Sequence, residues 1–368
     1  MRLAVSAEEK IKCAGESIIA INCSDKNIKG RRQLGMKRLP ALVSIICLIT
    51  LIAAALPVLA GCGPAPSEKI RVGITQIITH PALDANRQGF IDQMAEEGFV
   101  EGKNIAYDFR NPEGDMTLAA SIAQKFVLDK VDLILAIATQ TAQACAKATE
   151  NANIPVVFGS VTDPVAAGLV ESWDKPGSNV TGISDWADVP TQVKLITDIV
   201  PNVKRLGVIY NAGEVNSKVQ VDELKKCATA LGIEKVVEAV AATTADVMTA
   251  AQSLVGRVDA IWVPTDNTVV SAFEAVVKMC ETNKIPLFAA DVATVERGAI
   301  ATPGIDYYQL GRECGQVAAR ILQGKSPAEI PVKRVDMTKL YMNPSAAERM
   351  GITISQSVLG RATDIVGK

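Results

Sequence analysis

Three consecutive polar residues, Thr139-Gln140-Thr141, follow the apolar run VDLILAI and precede a helical pattern expected over 142–150. A hydroxyl there can cap the helix while free N–H groups and the positive helix end point outward, an arrangement that seats an anion. Further along, Asp266 and Asn267 follow AIWVPT, and Asp291 closes the apolar strand IPLFAA, where nothing local needs a charge. A helix N-terminus on one rim and carboxylates on the other suit a zwitterion, carboxylate to the first set and ammonium to the second. Asp266 reads either as a helix cap, the plainer role, or as a ligand contact. Asp163, ahead of Pro164 in VTDPVAAGLV, reads either as a turn cap or as a ligand contact. Asn216 and Ser217 add polar groups beyond the strand that ends at Tyr210 and Asn211. No Lys or Arg stands at a strand end, which argues against phosphate, sulfate or dicarboxylate ligands.

Catalytic and metal chemistry find little footing. His80 is the single histidine, so no Cys/His cluster and no convincing Ser/His/Asp set can form, and GxSxG and glycine-rich phosphate loops are absent. No enzyme activity, metal or cofactor is expected. His80 reads either as a loop residue bonded to backbone or as a cleft wall against an apolar or aromatic ligand part. Of the eight cysteines, Cys145, Cys227, Cys280 and Cys314 fall inside helix-like patterns without a CxxC, and read as buried or half-buried free thiols. A two-lobed racemase would need a cysteine at each lobe's strand end, and Cys145 and Cys280 lie well inside helices.

The elements that must hold these residues follow an α/β rhythm. IRVGITQI is followed by a helix over 83–98, a strand over 104–109, a helix over 116–130 and the strand VDLILAI. Short apolar strands alternating with helices imply parallel sheet with crossover helices. The pattern then repeats: Arg71-Val72-Gly73-Ile74 recurs as Arg205-Leu206-Gly207-Val208, and the stretch from Val131 to Ser160 recurs from Val258 to Asp291. Two Rossmann-like lobes of parallel sheet are expected, with ligands bound beyond the carboxyl ends of the strands.

Upstream, Met36-Lys37-Arg38 opens an apolar run over 39–60 that closes on Leu59-Ala60-Gly61-Cys62, followed by GPAPS. This is the layout of a lipoprotein signal peptide over 36–61, with Cys62 the lipidated mature N-terminus and 62–69 a tether. A spanning helix needs about 20 apolar residues. The run is long enough, yet Pro40 and Pro57 sit near its ends and a helix alone would not call for a boundary cysteine. Residues 1–35 are polar and aperiodic, and read as a non-native or disordered leader before a true start at Met36. Of 38 Lys+Arg and 40 Asp+Glu, residues 1–61 hold nine and four, leaving 29 against 36 and a net charge of −7. An acidic mature protein has no electrostatic reason to bind nucleic acid.

Taken in order, VTDPVAAGLV, PGSNVTGIS, GVIYN with Asn216-Ser217 downstream, PTDN and IPLFAAD resemble the ABC transporter substrate-binding lipoprotein family, over about 70–343. Ser178 and Gln140 depart from the pattern, where a second glycine and a small residue are common. The resemblance implies the type I periplasmic-binding-protein fold and a monomer that captures a small ligand and delivers it to an ABC permease. Anchored by lipid to the extracytoplasmic face of the membrane, such a protein has a small-molecule ligand and a permease as partners; amino acids, aromatic or branched, are the implied ligands. A sensing module for a membrane receptor, or a binder of a nucleoside or other neutral solute, remains an alternative. The implied cleft comprises His80, Thr139, Gln140, Thr141, Asp163, Asn216, Ser217, Asp266, Asn267 and Asp291. Three crossovers near 182–185, 302–306 and 330–332 divide the chain into lobe one (70–183 and 306–329) and lobe two (184–305 and 330–354), with a C-terminal tail at 355–368. A helix over 310–323 would return to lobe one.

Overall fold

The computed structural model describes residues 69–335 and 339–367; the leader, the signal segment and the Cys62 lipidation site lie outside them. The first lobe comprises β1 (Ile70–Gln76), α1 (Pro81–Glu96), β2 (Ile105–Arg110), α2 (Met116–Leu128), β3 (Leu133–Ile137), α3 (Thr139–Thr149), β4 (Val156–Gly159) and β5 (Val180–Ser184). The second contains α4 (Val189–Ile199), β6 (Arg205–Tyr210), α5 (Val215–Cys227), β7 (Lys235–Val240), α6 (Val247–Gln252), β8 (Ala260–Val263), α7 (Asn267–Ser271), α8 (Phe273–Asn283), β9 (Leu287–Ala289), α9 (Ala293–Glu296) and β10 (Ala301–Gly304). Then α10 (Tyr307–Leu322) packs back on lobe one, followed by β11 (Lys333–Arg334), β12 (Lys339–Met342), α11 (Pro344–Arg349), α12 (Gln356–Leu359) and β13 (Asp364–Ile365).

Both lobes carry a parallel sheet with one strand order. The first reads β2-β1-β3-β4-β5-β11 and the second β7-β6-β8-β9, so the sequence repeat is a repeat of topology. The repeated residues do the same work in each lobe. Asp132 ahead of β3 accepts the Arg71 N–H at 2.7 Å, and Asp259 ahead of β8 accepts the Arg205 N–H at 2.8 Å, fixing the entry of the neighbouring strand. Gly73 lets the Phe126 ring lie flat on β1, since a Cβ there would meet the ring at 2.8 Å; Gly207 makes the same room for Leu254. Helices cover both faces of the first sheet, so β3 is buried throughout and reads as unbroken LILAI rather than an alternation.

On one face α1 and α10 touch backbone to backbone. A Cβ on Gly89 would lie 2.1 Å from the Tyr308 carbonyl oxygen, and one on Gly311 2.0 Å from that of Asn86. The four cysteines at 145, 227, 280 and 314 are free, three of them buried. Among the described residues no helix is long and apolar enough to cross a membrane.

The C-terminal boundaries differ from expectation. Lys333 and Arg334 lie opposite Ile183 and Ser184 and complete the first sheet's edge, so the third crossover follows residue 334 instead of 330–332. An unpaired β5 edge would leave its backbone groups open, and Arg334 is pinned there over the Trp173 ring at 4.1 Å. Nor is 355–368 a free tail: β13 pairs with β12, which pairs antiparallel with β10, and Val358 is buried in the second lobe's core.

Candidate functional site

In sheets of this order ligands bind where successive connections leave to opposite sides, beyond the carboxyl ends of the first and third strands. Those points are the ends of β1 and β3 in lobe one, and of β6 and β8 in lobe two. Residues from both enclose one small cavity of about 20 Å³. His80, Leu83, Ser160, Thr162, Asp185 and Tyr307 line it from lobe one and its crossovers; Asn216, Thr265, Asp266, Asn267, Val270 and Asp291 line it from lobe two.

Its chemistry is set by buried carboxylates without a basic partner among the lining residues. Asp185 follows β5 and accepts hydrogen bonds from Thr162 Oγ1 at 3.0 Å and from the Tyr307 hydroxyl at 3.2 Å. Asp291 follows β9; its Oδ1 accepts the Ala293 N–H at 2.9 Å, and its other oxygen has no partner among the described residues. Burial pushes both carboxyls up to about 6; for Asp291 the Ala293 N–H and the charge of Arg297 offset part of the shift, and the charge of Asp185 adds to it. Such a pair is completed by a cation, and an ammonium group would supply it. His80 stands at the head of α1 and is driven down to about 4, chiefly by burial, so it is neutral at physiological pH. Its Nδ1 has no hydrogen-bond partner, with the Asn267 amide alongside. Leu83, one turn along α1, and Val270 on α7 supply the apolar wall.

Asp266 serves the fold instead. It caps α7 through the Val269 N–H at 2.8 Å, and its Oδ2 accepts the Asn211 N–H and the Ser217 hydroxyl, each at 2.6 Å. Burial and nearby Glu214 raise its pKa. Ser217 donates that bond, accepts another from the Asn216 side-chain amide at 3.3 Å, and does not line the cavity. Glu214, 4% exposed, was not foreseen from the sequence. Its Oε1 accepts the Thr268 N–H and hydroxyl, and its Oε2 accepts the Asn267 N–H and the side-chain amides of Asn267 and Asn216.

Among the described residues, two polar contacts join the lobes at the cleft, in addition to Lys339 Nζ on Asp306 Oδ2 at 3.4 Å beside the crossovers. Thr162 Oγ1 and Thr265 Oγ1 lie 3.1 Å apart, and the Asn267 amide donates to Gln140 Oε1 at 3.3 Å. Each hydroxyl has one hydrogen. Thr162 gives its own to Asp185, so Thr265 donates to Thr162 while accepting from Gln220 Nε2 at 2.9 Å.

Of the residues expected at the cleft, His80, Asn216, Asp266, Asn267 and Asp291 line the cavity; Thr139, Gln140, Thr141, Asp163 and Ser217 do not. The polar trio is not ahead of a helix starting at 142: α3 begins at Thr139, with Ala138 at the cap position in a positive-φ conformation. Thr141 is therefore inside the first turn, and its hydroxyl donates back to the Ile137 and Ala138 carbonyls. Gln140 faces an adjoining groove. Asp163 accepts the Val165 and Ala166 N–H groups, each at 3.0 Å, as a turn cap. Asp185 and Ser160 had a signal in the sequence, a polar residue ending the apolar strands VTGIS and VVFG; Tyr307 had none, because α10 reaches the cleft only through tertiary packing.

A family model described as ABC transporter substrate binding protein matches residues 71–366. A tyrosine-binding protein of Clostridioides difficile is 46% identical over 272 residues, 74% of this chain and 78% of that protein. Among solved structures, an ABC domain in complex with L-Trp from Streptococcus pneumonia overlays with a TM-score of 0.78 at 37% identity, covering 81% of this chain and all of that one. A ligand-free, open substrate-binding protein with adhesive properties from Clostridium difficile covers the same 81%, and 99% of its own chain, with a TM-score of 0.62 at 44% identity.

Proposed function

Because the chain belongs to the ABC transporter substrate-binding protein family, we propose that it captures an aromatic amino acid between its lobes and delivers it to an ABC permease. Proteins of this family are solute-binding proteins, not enzymes, and are extracytoplasmic. The observation that carries the ligand class is the pair Asp185 and Asp291, buried carboxylates from the two sides of one cavity that lack a positive partner in its lining. An α-ammonium group would join them and draw the lobes together, since a ligand favours closure only through contacts that exist in the closed form. Leu83 and Val270 favour an apolar side chain, and the relatives that bind tyrosine and L-Trp support an aromatic one.

In this reading Cys62 carries the lipid that holds the protein at the membrane surface. A buried acyl chain contributes about 0.8 kcal/mol per CH₂, and two or three chains suffice for stable anchoring. The test is a thermal-shift panel of the twenty amino acids on protein truncated after Cys62, followed by calorimetry. Tyrosine or tryptophan should raise Tm, with a shift that grows with the logarithm of ligand concentration above Kd, and N-acetyltyrosine, which lacks the ammonium, should not. No shift with any amino acid, or equal shifts with the acetylated form, refutes the ligand class. Globomycin-sensitive processing and labelling of Cys62 with a fatty-acid probe test the anchor.

A further inference from the structure

The enclosed cavity and the open groove beside it share one residue, Asn267. The groove, about 400 Å³, is bounded by Gln140 and Met116 on lobe one and by Asn211, Glu214 and Thr268 on lobe two. The Asn267–Gln140 hydrogen bond at 3.3 Å therefore lies where the groove would otherwise open into the cavity.

The orientation of that bond is dictated by Glu214. A carboxylate accepts hydrogen bonds and donates none, so the Asn267 NH₂, 2.8 Å from Glu214 Oε2, has to face it. One amide hydrogen is spent on Glu214, and the second points across the lobe boundary, where only an acceptor can meet it. Gln140 presents its Oε1 there. The five bonds into Glu214 hold its carboxylate and the start of α7 as one unit, so Asn267 is set before closure rather than by it. Gln140 neither lines the cavity nor has another side-chain partner among the described residues.

From this geometry we infer that Gln140 and Asn267 form a latch across the mouth of the ligand site, with Glu214 as the positioning residue that aims it. The latch acts on how long the closed lobes retain a ligand and not on which ligand they choose. The inference rests on the proposed ligand class only for the choice of probe.

Release of tyrosine and of tryptophan is followed by stopped-flow displacement in wild type and in Gln140→Ala, Gln140→Glu and Glu214→Gln. A neutral hydrogen bond contributes about 1 kcal/mol, so Gln140→Ala should speed release about fivefold for both ligands, with association changed by less than twofold. Gln140→Glu, which still offers an acceptor to the Asn267 amide, should restore most of the retention. In Glu214→Gln the amide loses its fixed orientation and release should quicken equally for both ligands. Unchanged release in Gln140→Ala overturns the inference, and so does an effect on one ligand only, which would make Gln140 a ligand contact. If the wild type binds neither amino acid, the ligand class fails separately. The latch is then read by hydrogen exchange on ligand-free protein: weaker protection at 138–142 and 267–270 in Gln140→Ala supports it, and equal protection refutes it.

Discussion

Replacing Asp291 with asparagine should move affinity and stability in opposite directions. The asparagine Oδ1 keeps the Ala293 N–H bond now made at 2.9 Å, and the volume hardly changes, so the loop after β9 is preserved. What is lost is the negative charge on a carboxylate that is 3% exposed. A hydrogen bond to a charged group is worth about 1.5–3 kcal/mol, or roughly ten- to hundredfold in Kd. The lower part of that range applies, because Asp185 remains to hold the ligand's ammonium. Without ligand the same charge is a burden: burial beside Asp185 raises the Asp291 pKa from 3.8 to about 6. That shift corresponds to up to about 3 kcal/mol of destabilisation at neutral pH, so the neutral amide should stabilise the empty protein by about 1–3 kcal/mol. Calorimetry with tyrosine and urea unfolding of ligand-free protein, both at pH 7.5, measure the two effects. Affinity within twofold of wild type, or an empty protein less stable than wild type, would refute the ammonium assignment.

Acidification should separate binding from stability in the same way. The ligand's ammonium needs ionised Asp185 and Asp291, so affinity should fall as pH drops through about 6, by titration calorimetry. Raised carboxyl pKa values mean that the folded protein binds more protons between about pH 4 and 6, so these two groups destabilise it fully above that window, progressively less as pH falls through it, and not below it. His80 has the opposite sign: its neutral form contributes stability above pH 6.5 that is lost toward about 4, so His80→Gln should retain more of its Tm between pH 7 and 5 than wild type. Asp266→Ala strips an N-cap and leaves the Asn211 and Val269 N–H groups and the Ser217 hydroxyl without their acceptor, a loss of about 3 kcal/mol by urea unfolding. Gly311→Ala forces α10 away from the Asn86 carbonyl and should destabilise by about 1–3 kcal/mol by the same measurement.

The sequence alone determined the two-lobed α/β plan, because that plan is written in local signals: apolar strands of fixed length, helix periodicity, and the recurring RVGI and VD segments that tie neighbouring strands together in each lobe. It also determined the direction in which the site lies, since ligand chemistry in such sheets gathers at the strand ends. His80, Asn267 and Asp291 were legible as polar residues where an apolar strand or helix pattern breaks. Tertiary structure alone decided which of these side chains still had capacity to offer. Asp266 and Asp291 look alike in sequence, each a carboxylate after an apolar strand; three donors engage both oxygens of the first, whereas the second keeps one oxygen without a partner among the described residues. Thr141 turned back onto its own helix because α3 starts earlier than the helical pattern suggests. Asp185, Tyr307 and Glu214 entered the site or its frame from separate parts of the chain. Hydrogen-bond capacity is a property of the full set of neighbours, and across 122 residues, as between Asp185 and Tyr307, only folding supplies them.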